Sequence, residues 1–354
     1  MKSRRRFAVP DAALRGLLGL GLLGLGLLGL LASCAAPGTL PAPPSPGTAT
    51  ASASASSGPG PGPSGAASSP APAEVTLRQI AVDGRPFSYC ASRALDSLGA
   101  RIRHVIIAVH GLERDPCALR KVAVDALGGE PADTVVVAPH FASASDAVPG
   151  GHLWSATGWP AGEASSFGIS SYAAMDDLVS RLGDRRLTLV GFSGGGQFVN
   201  RYAAVSPTEV EHYVVVNPSS YLYFDAERAG WDAPALASCP AYNDFRYGLG
   251  NLPPYAVDHG GADAILARYP TRRITYLIGT ADDDPGSASL DRSCAARAQG
   301  ANREERALNY HRHLEVVFGP RMDLSQPIVT VPGVGHDASG MLSSRWGREA
   351  LRAG

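Results

Sequence analysis

Gly191-Phe192-Ser193-Gly194-Gly195 follows the apolar run Leu187 to Val190 and precedes a segment of helical period, Gly195 to Ala204, and its reading decides the fold. A sharp strand-to-helix turn forces its central residue into a strained backbone conformation and lifts that side chain above a sheet. Glycines two residues to either side leave room for such a turn to pack. Ser193 then lies by a helix N-terminus, where free N–H groups and the helix dipole favour developing negative charge. The bare Gly-x-Ser-x-Gly string is a weak signal in a chain rich in Gly and Ser, and its place between strand and helix gives it weight.

Outward from this turn the same alternation continues. Strand candidates are Val105 to Val109, Thr134 to Ala138, Leu187 to Val190, Tyr213 to Val216, Ile274 to Ile278 and Ile328 to Val331. Helix candidates are Cys117 to Ala126, Ser171 to Leu182, Gly195 to Ala204, Arg303 to Val317 and Ala338 to Arg352. Strands of continuous Val and Ile character are buried on both faces, so the expected class is α/β, a mostly parallel central sheet flanked by helices. Residues 217–270 break the rhythm with six prolines and nine aromatic residues. They form either a cap over a site at the strand ends or a satellite cluster on the sheet edge.

The chain begins with five basic residues and one acid around an apolar run, Gly16 to Leu31, too short to span a bilayer. This reads as a signal peptide, residues 1–33, with an Arg4-Arg5-Arg6 n-region that also resembles a twin-arginine signal. Its end, Leu31-Ala32-Ser33-Cys34, resembles a bacterial lipobox, so Cys34 is the expected lipidation site and the lipid the expected membrane contact. Cleavage leaves 321 of the 354 residues, with 26 Lys and Arg against 31 Asp and Glu. That balance argues against a nucleic-acid partner. The next 39 residues, to Ala73, carry no charge and one large apolar side chain, Leu40, which describes a tether of about 35 Å as a flexible coil. Residues 74–354 are then one folded domain. Four cysteines remain, Cys90, Cys117, Cys239 and Cys294, an even number that suits two disulfides in an exported chain. Three connectivities stay open. No metal-ligand spacing is present, and no cofactor is expected.

Val105-Ile106-Ile107-Ala108-Val109 running into His110-Gly111, the serine turn, and Gly279-Thr280-Ala281-Asp282 together resemble the α/β-hydrolase family, over nearly all of residues 75–354. The resemblance implies a Ser193, Asp282, His336 triad in that chain order, with Asp283 and Asp284 as alternative acids. His336 follows the strand Ile328 to Val331, where the family places its histidine. An oxyanion hole would be formed by the N–H groups of Gly194 and Leu112, or Glu113 in place of the latter. His110 is read as a turn residue, His311 and His313 as solvated, and His140, His152 and His259 as loop residues near the pocket. A calcium site in the acidic run after Ala281 is the non-catalytic alternative there. Two strings, Cys239-Pro240-Ala241-Tyr242 to Tyr247-Gly248-Leu249, and Gln299-Gly300-Ala301-Asn302-Arg303 with Arg306, are reminiscent of bacterial members of the family without naming a substrate. The expected activity is hydrolysis of a small-molecule or polymeric carboxylic ester. Alternatives are a peptidase or amidase on the same triad, or a surface lipoprotein that acts by binding.

Overall fold

The computed structural model describes residues 75–146 and 148–354; the leader, Cys34 and the tether lie outside the described residues. Eight strands form one sheet in the order β1-β2-β4-β3-β5-β6-β7-β8. They are β1 (Thr76–Val82), β2 (Arg85–Ala91), β3 (His104–Val109), β4 (Thr134–Pro139), β5 (Arg186–Phe192), β6 (His212–Val216), β7 (Ile274–Gly279) and β8 (Ile328–Val331). The first two pair with each other, and β2 with β4, antiparallel; every other neighbour is parallel.

Side chains alternate between the two faces of a strand, and the central strands are apolar on both. Val105, Ile107 and Val109 of β3 enter one core while Ile106 and Ala108 enter the other; β4 and β6 divide in the same way. Two apolar faces require helices on both. The larger core lies under α2 (Ser171–Ser180), α3 (Gly194–Val205), α6 (Gly261–Arg268) and α8 (Arg303–Phe318), and the smaller under α1 (Pro116–Leu127), α10 (Ala338–Ser343) and α11 (Arg345–Arg352). Short helices α4 (Ala233–Ala237), α5 (Pro254–Asp258), α7 (Cys294–Arg297) and α9 (Met322–Ser325) complete the connections. Local signals set the boundaries. Asp115 accepts from Ala118 N ahead of Pro116, Gly128 closes α1 at φ 79°, and Asn302 caps α8 through Glu305 N.

The structure corrects the sequence expectation at several places. The single terminal helix from Ala338 to Arg352 is two helices, because Ser344, at ψ 160°, ends α10 and caps α11 by accepting from Gly347 N. His311 and His313 are buried, not solvated. The insertion packs in two places. Tyr221, Tyr223, Phe224, Tyr255 and Tyr269 belong to the larger core, whereas Trp231, Tyr242 and Tyr247 pack with Cys239 and Cys294 in a separate cluster. The disulfides join Cys90 to Cys117 and Cys239 to Cys294. Among the described residues no helix is long and apolar enough to cross a membrane.

Candidate active site

Ser193 caps α3 at φ 56° and ψ −114°, a backbone region that L residues rarely adopt. The glycines around it are required by contact. A β-carbon on Gly191 would lie 2.1 Å from the Gly195 carbonyl oxygen, and one on Gly195 would lie 2.0 Å from that of Val109. The turn thus packs directly on the end of β3, and Ser193 N donates to Val216 O of β6 at 2.9 Å.

Three strand ends converge above it. Ser193 Oγ lies 3.0 Å from His336 Nε2, and His336 Nδ1 lies 2.7 Å from Asp282 Oδ2. An ionised Asp282 can only accept, so Nδ1 carries the proton and Nε2 is the free acceptor for the serine hydroxyl. Of the three neighbouring acids, Asp282 is buried and reaches His336, whereas Asp283 and Asp284 are exposed. Phe192 packs on the His336 ring at 4.7 Å between centroids.

Burial alone would raise the Asp282 pKa. The hydrogen bond from His336 and the charge of Arg303 outweigh it and hold the carboxyl below its ordinary value. Arg303, fully buried, donates to Asp282 Oδ1 at 3.1 Å. Asn217, left-handed at φ 45° at the end of β6, donates to Asp282 Oδ2 at 2.8 Å and to Gly335 O at 3.1 Å, and accepts from Gly279 N. One side chain therefore ties the loop of the acid to the loop of the histidine. Asn217 had no motif to mark it, and Arg303 stood only inside a string without an assigned role.

Gly194 and Leu112 lie against one another, for a β-carbon on Gly194 would be 3.3 Å from Leu112 N. Among the described residues neither N–H is taken by a protein acceptor, leaving two donors beside Ser193. Beneath this loop, His110 donates from Nδ1 to Gly111 O at 2.7 Å and accepts at Nε2 from Phe141 N at 3.0 Å. Burial pushes its pKa down to about 3, which keeps Nε2 an acceptor. The other loop histidines are absent from the cavity wall. His152 bonds Val82 O and Ser165, His259 bonds Tyr255 O, and His140 faces Asp146.

A cavity of about 270 Å³ opens alongside, walled by Leu112, Pro160, Gln197, Ser219, Arg246 and Asp291 among others. Gln197 lies one helical turn after Ser193. Residues of the 217–270 insertion reach this wall at Ser219 and Arg246.

Among solved structures the chain is similar to the LpqC poly(3-hydroxybutyrate) depolymerase from Bordetella parapertussis, at 22% identity over 79% of this chain and 91% of that one, TM-score 0.58. It is similar also to poly(aspartic acid) hydrolase-1 from Sphingomonas sp. KT-1, at 19% identity over 78% and 98%, TM-score 0.57. The fold is that of the α/β hydrolases. No protein-family model and no curated protein matches the sequence. On this α/β-hydrolase sheet, Ser193, Asp282 and His336 stand after β5, β7 and β8 in turn.

Proposed function

We propose that the protein is a serine hydrolase that cleaves carboxylic esters through an acyl-enzyme. The observation that carries this reading is the unbroken chain from Ser193 Oγ through His336 to Asp282, at 3.0 and 2.7 Å. A serine hydroxyl is a weak nucleophile, so His336 Nε2 takes its proton as Oγ bonds to the acyl carbon. Asp282 keeps the imidazole in the required tautomer and stabilises the imidazolium. The carbonyl oxygen gains negative charge beside the N–H groups of Leu112 and Gly194, where one such donor is worth roughly 3 to 4 kcal/mol in the transition state. The tetrahedral adduct collapses as His336 returns the proton to the leaving alcohol. Water then attacks the acyl-enzyme, giving its proton to His336, which passes it to Ser193 Oγ as the bond from Oγ to the acyl carbon breaks and the acid departs.

Labelling of the purified, oxidised protein by a fluorophosphonate tests this. Labelling of the wild type, abolished in Ser193→Ala and strongly reduced in His336→Ala and Asp282→Asn, supports an activated serine. A folded wild type that does not label overturns it in favour of a binding protein. Parallel ester and anilide substrates separate an esterase from a peptidase or amidase. The leader and lipobox support export and lipidation at Cys34, checked by partition of wild type and Cys34→Ser between detergent and aqueous phases.

A further inference from the structure

Arg201, Arg303 and Arg306 are each fully buried. Arg303 has the Asp282 carboxylate as counter-ion. Among the described residues, Arg201 and Arg306 are paired with no carboxylate. Arg201 donates to Arg246 O at 3.2 Å, Pro160 O at 3.1 Å, Gln197 Oε1 at 3.1 Å and Ser220 Oγ at 2.8 Å. Arg306 donates to Gly300 O at 2.9 Å, Ser219 O at 2.5 Å and Asp291 O at 3.0 Å, and its buried Nη2 has no partner. A buried charge held only by neutral groups is costly, and most protein structures avoid it.

Both arginines brace the same cavity, for Pro160, Gln197, Ser219 and Asp291 belong to its wall. A third cation lines it directly. Arg246 is half-buried, donates from Nη1 to Thr157 O at 2.9 Å, and makes no other side-chain hydrogen bond among the described residues. The carboxylate of the wall, Asp291, is already engaged by Tyr247 Oη at 2.7 Å and Ser293 N at 2.9 Å. Burial pushes Arg201 and Arg306 each down to about 10, which still leaves these two cationic at neutral pH. One cation, Arg246, and one anion, Asp291, therefore line a space of about 270 Å³, small for a ligand site, and the charges of Arg201 and Arg306 lie behind its wall.

We infer that this cavity receives a carboxylate of the substrate, so that the protein acts on esters carrying an anionic group a few atoms from the scissile carbonyl, with Arg246 as the specificity-determining residue. The inference rests on the serine-hydrolase reading. A planar carboxylate matches the free edge of a guanidinium, and the two buried arginines behind the wall add an attractive field. A short acyl or alcohol portion suits the volume better than a long alkyl chain.

Two substrate pairs test it: 4-nitrophenyl hemiadipate against 4-nitrophenyl hexanoate, and 4-carboxyphenyl acetate against phenyl acetate. In one pair or both, kcat/KM favours the charged ester at least tenfold at low ionic strength, less so at high salt. The charged-to-neutral ratio falls at least tenfold in Arg246→Met, chiefly through KM, and less in Arg246→Lys; cooperative melting checks that each variant folds. Free adipate binds Ser193→Ala, measured by calorimetry, and fails to bind the double variant with Arg246→Met. Equal or reversed preference in both pairs, or a ratio untouched by Arg246→Met, overturns the inference. Turnover of neutral esters without adipate binding sinks this inference alone. Adipate binding with no turnover of any ester sinks the hydrolase reading instead.

Discussion

At Ser193 the chain holds φ 56° although the residue carries a β-carbon, and strain of this kind costs about 1 to 3 kcal/mol. Ser193→Ala keeps the β-carbon and the strain, whereas Ser193→Gly removes both. Ser193→Gly is therefore expected to be about 1 kcal/mol more stable than Ser193→Ala, although glycine loses more chain entropy on folding. Urea midpoints of the two variants check this, and an equal or lower midpoint for the glycine variant would show that the turn is not strained. Arg303 sets a second expectation. Its guanidinium helps hold the Asp282 carboxyl below the ordinary range, and Arg303→Met leaves that carboxylate buried without its counter-ion. Fluorophosphonate labelling should slow by about ten- to a hundredfold, while Arg303→Lys, which restores the charge without the fork, recovers part of the rate. The serine turn was legible because glycine is demanded by hard contact on both sides of it. Arg303 was not, because an arginine in a charged helical start has the pattern of a solvated one. Only the Asp282 loop folding over α8 buries it.

α8 shows why pattern and burial separate at the level of elements. Its sequence, Arg303 to Phe318, is among the most polar of the helices, yet Arg303, Arg306, Tyr310, His311, His313 and Leu314 are all buried. What it meets is a polar interior. Asn200 of α3 donates to Tyr269 Oη at 3.0 Å and Tyr310 Oη at 3.2 Å, and accepts from Leu222 N at 2.9 Å; Tyr269 in turn bonds Tyr276 and Tyr310. Asn200→Ala removes two donors and one acceptor from a buried network and strands the Leu222 N–H. Each stranded group costs about 1 to 3 kcal/mol, so a loss of about 3 to 5 kcal/mol is expected. Guanidinium titration measures it, and a loss under about 1 kcal/mol would mean that water replaces the asparagine. Hydropathy cannot reveal such an element, since its partners include residues 21 to 110 positions away. The central strands, whose burial follows from their own Val and Ile content, were legible to within two residues. The edge hairpin β1 and β2 was missed because Leu77 faces solvent and Pro86 interrupts the apolar pattern.

Across the whole molecule, several histidines are folded in as neutral groups, which fixes the direction of its acid sensitivity. Burial pushes His110 to about 3, and His212 and His313 to about 4, from an ordinary value near 6.5. His110 and His313 each accept a backbone N–H, from Phe141 and Phe224, at a nitrogen that protonation would turn into a donor. In the unfolded chain all three bind protons as pH falls through about 6.5, while in the folded chain they stay neutral until about 4. The unfolded state therefore carries more protons in that window, and unfolding free energy rises with pH across it. Each histidine contributes a slope approaching about 1.4 kcal/mol per pH unit, so the three together should cost roughly 3 to 4 kcal/mol between pH 6 and pH 5. As pH falls through the ordinary carboxylate value, the unfolded chain protonates Asp282 before the folded one does, because its folded pKa is depressed, and this adds to the loss. Denaturant midpoints at pH 7, 6 and 5, with both disulfides kept oxidised, measure the window. His313→Gln keeps an acceptor opposite Phe224 N without a titrating ring, and should flatten the slope by up to about 1.4 kcal/mol per pH unit. A profile unchanged from pH 7 to pH 5 would mean that these rings protonate inside the folded protein.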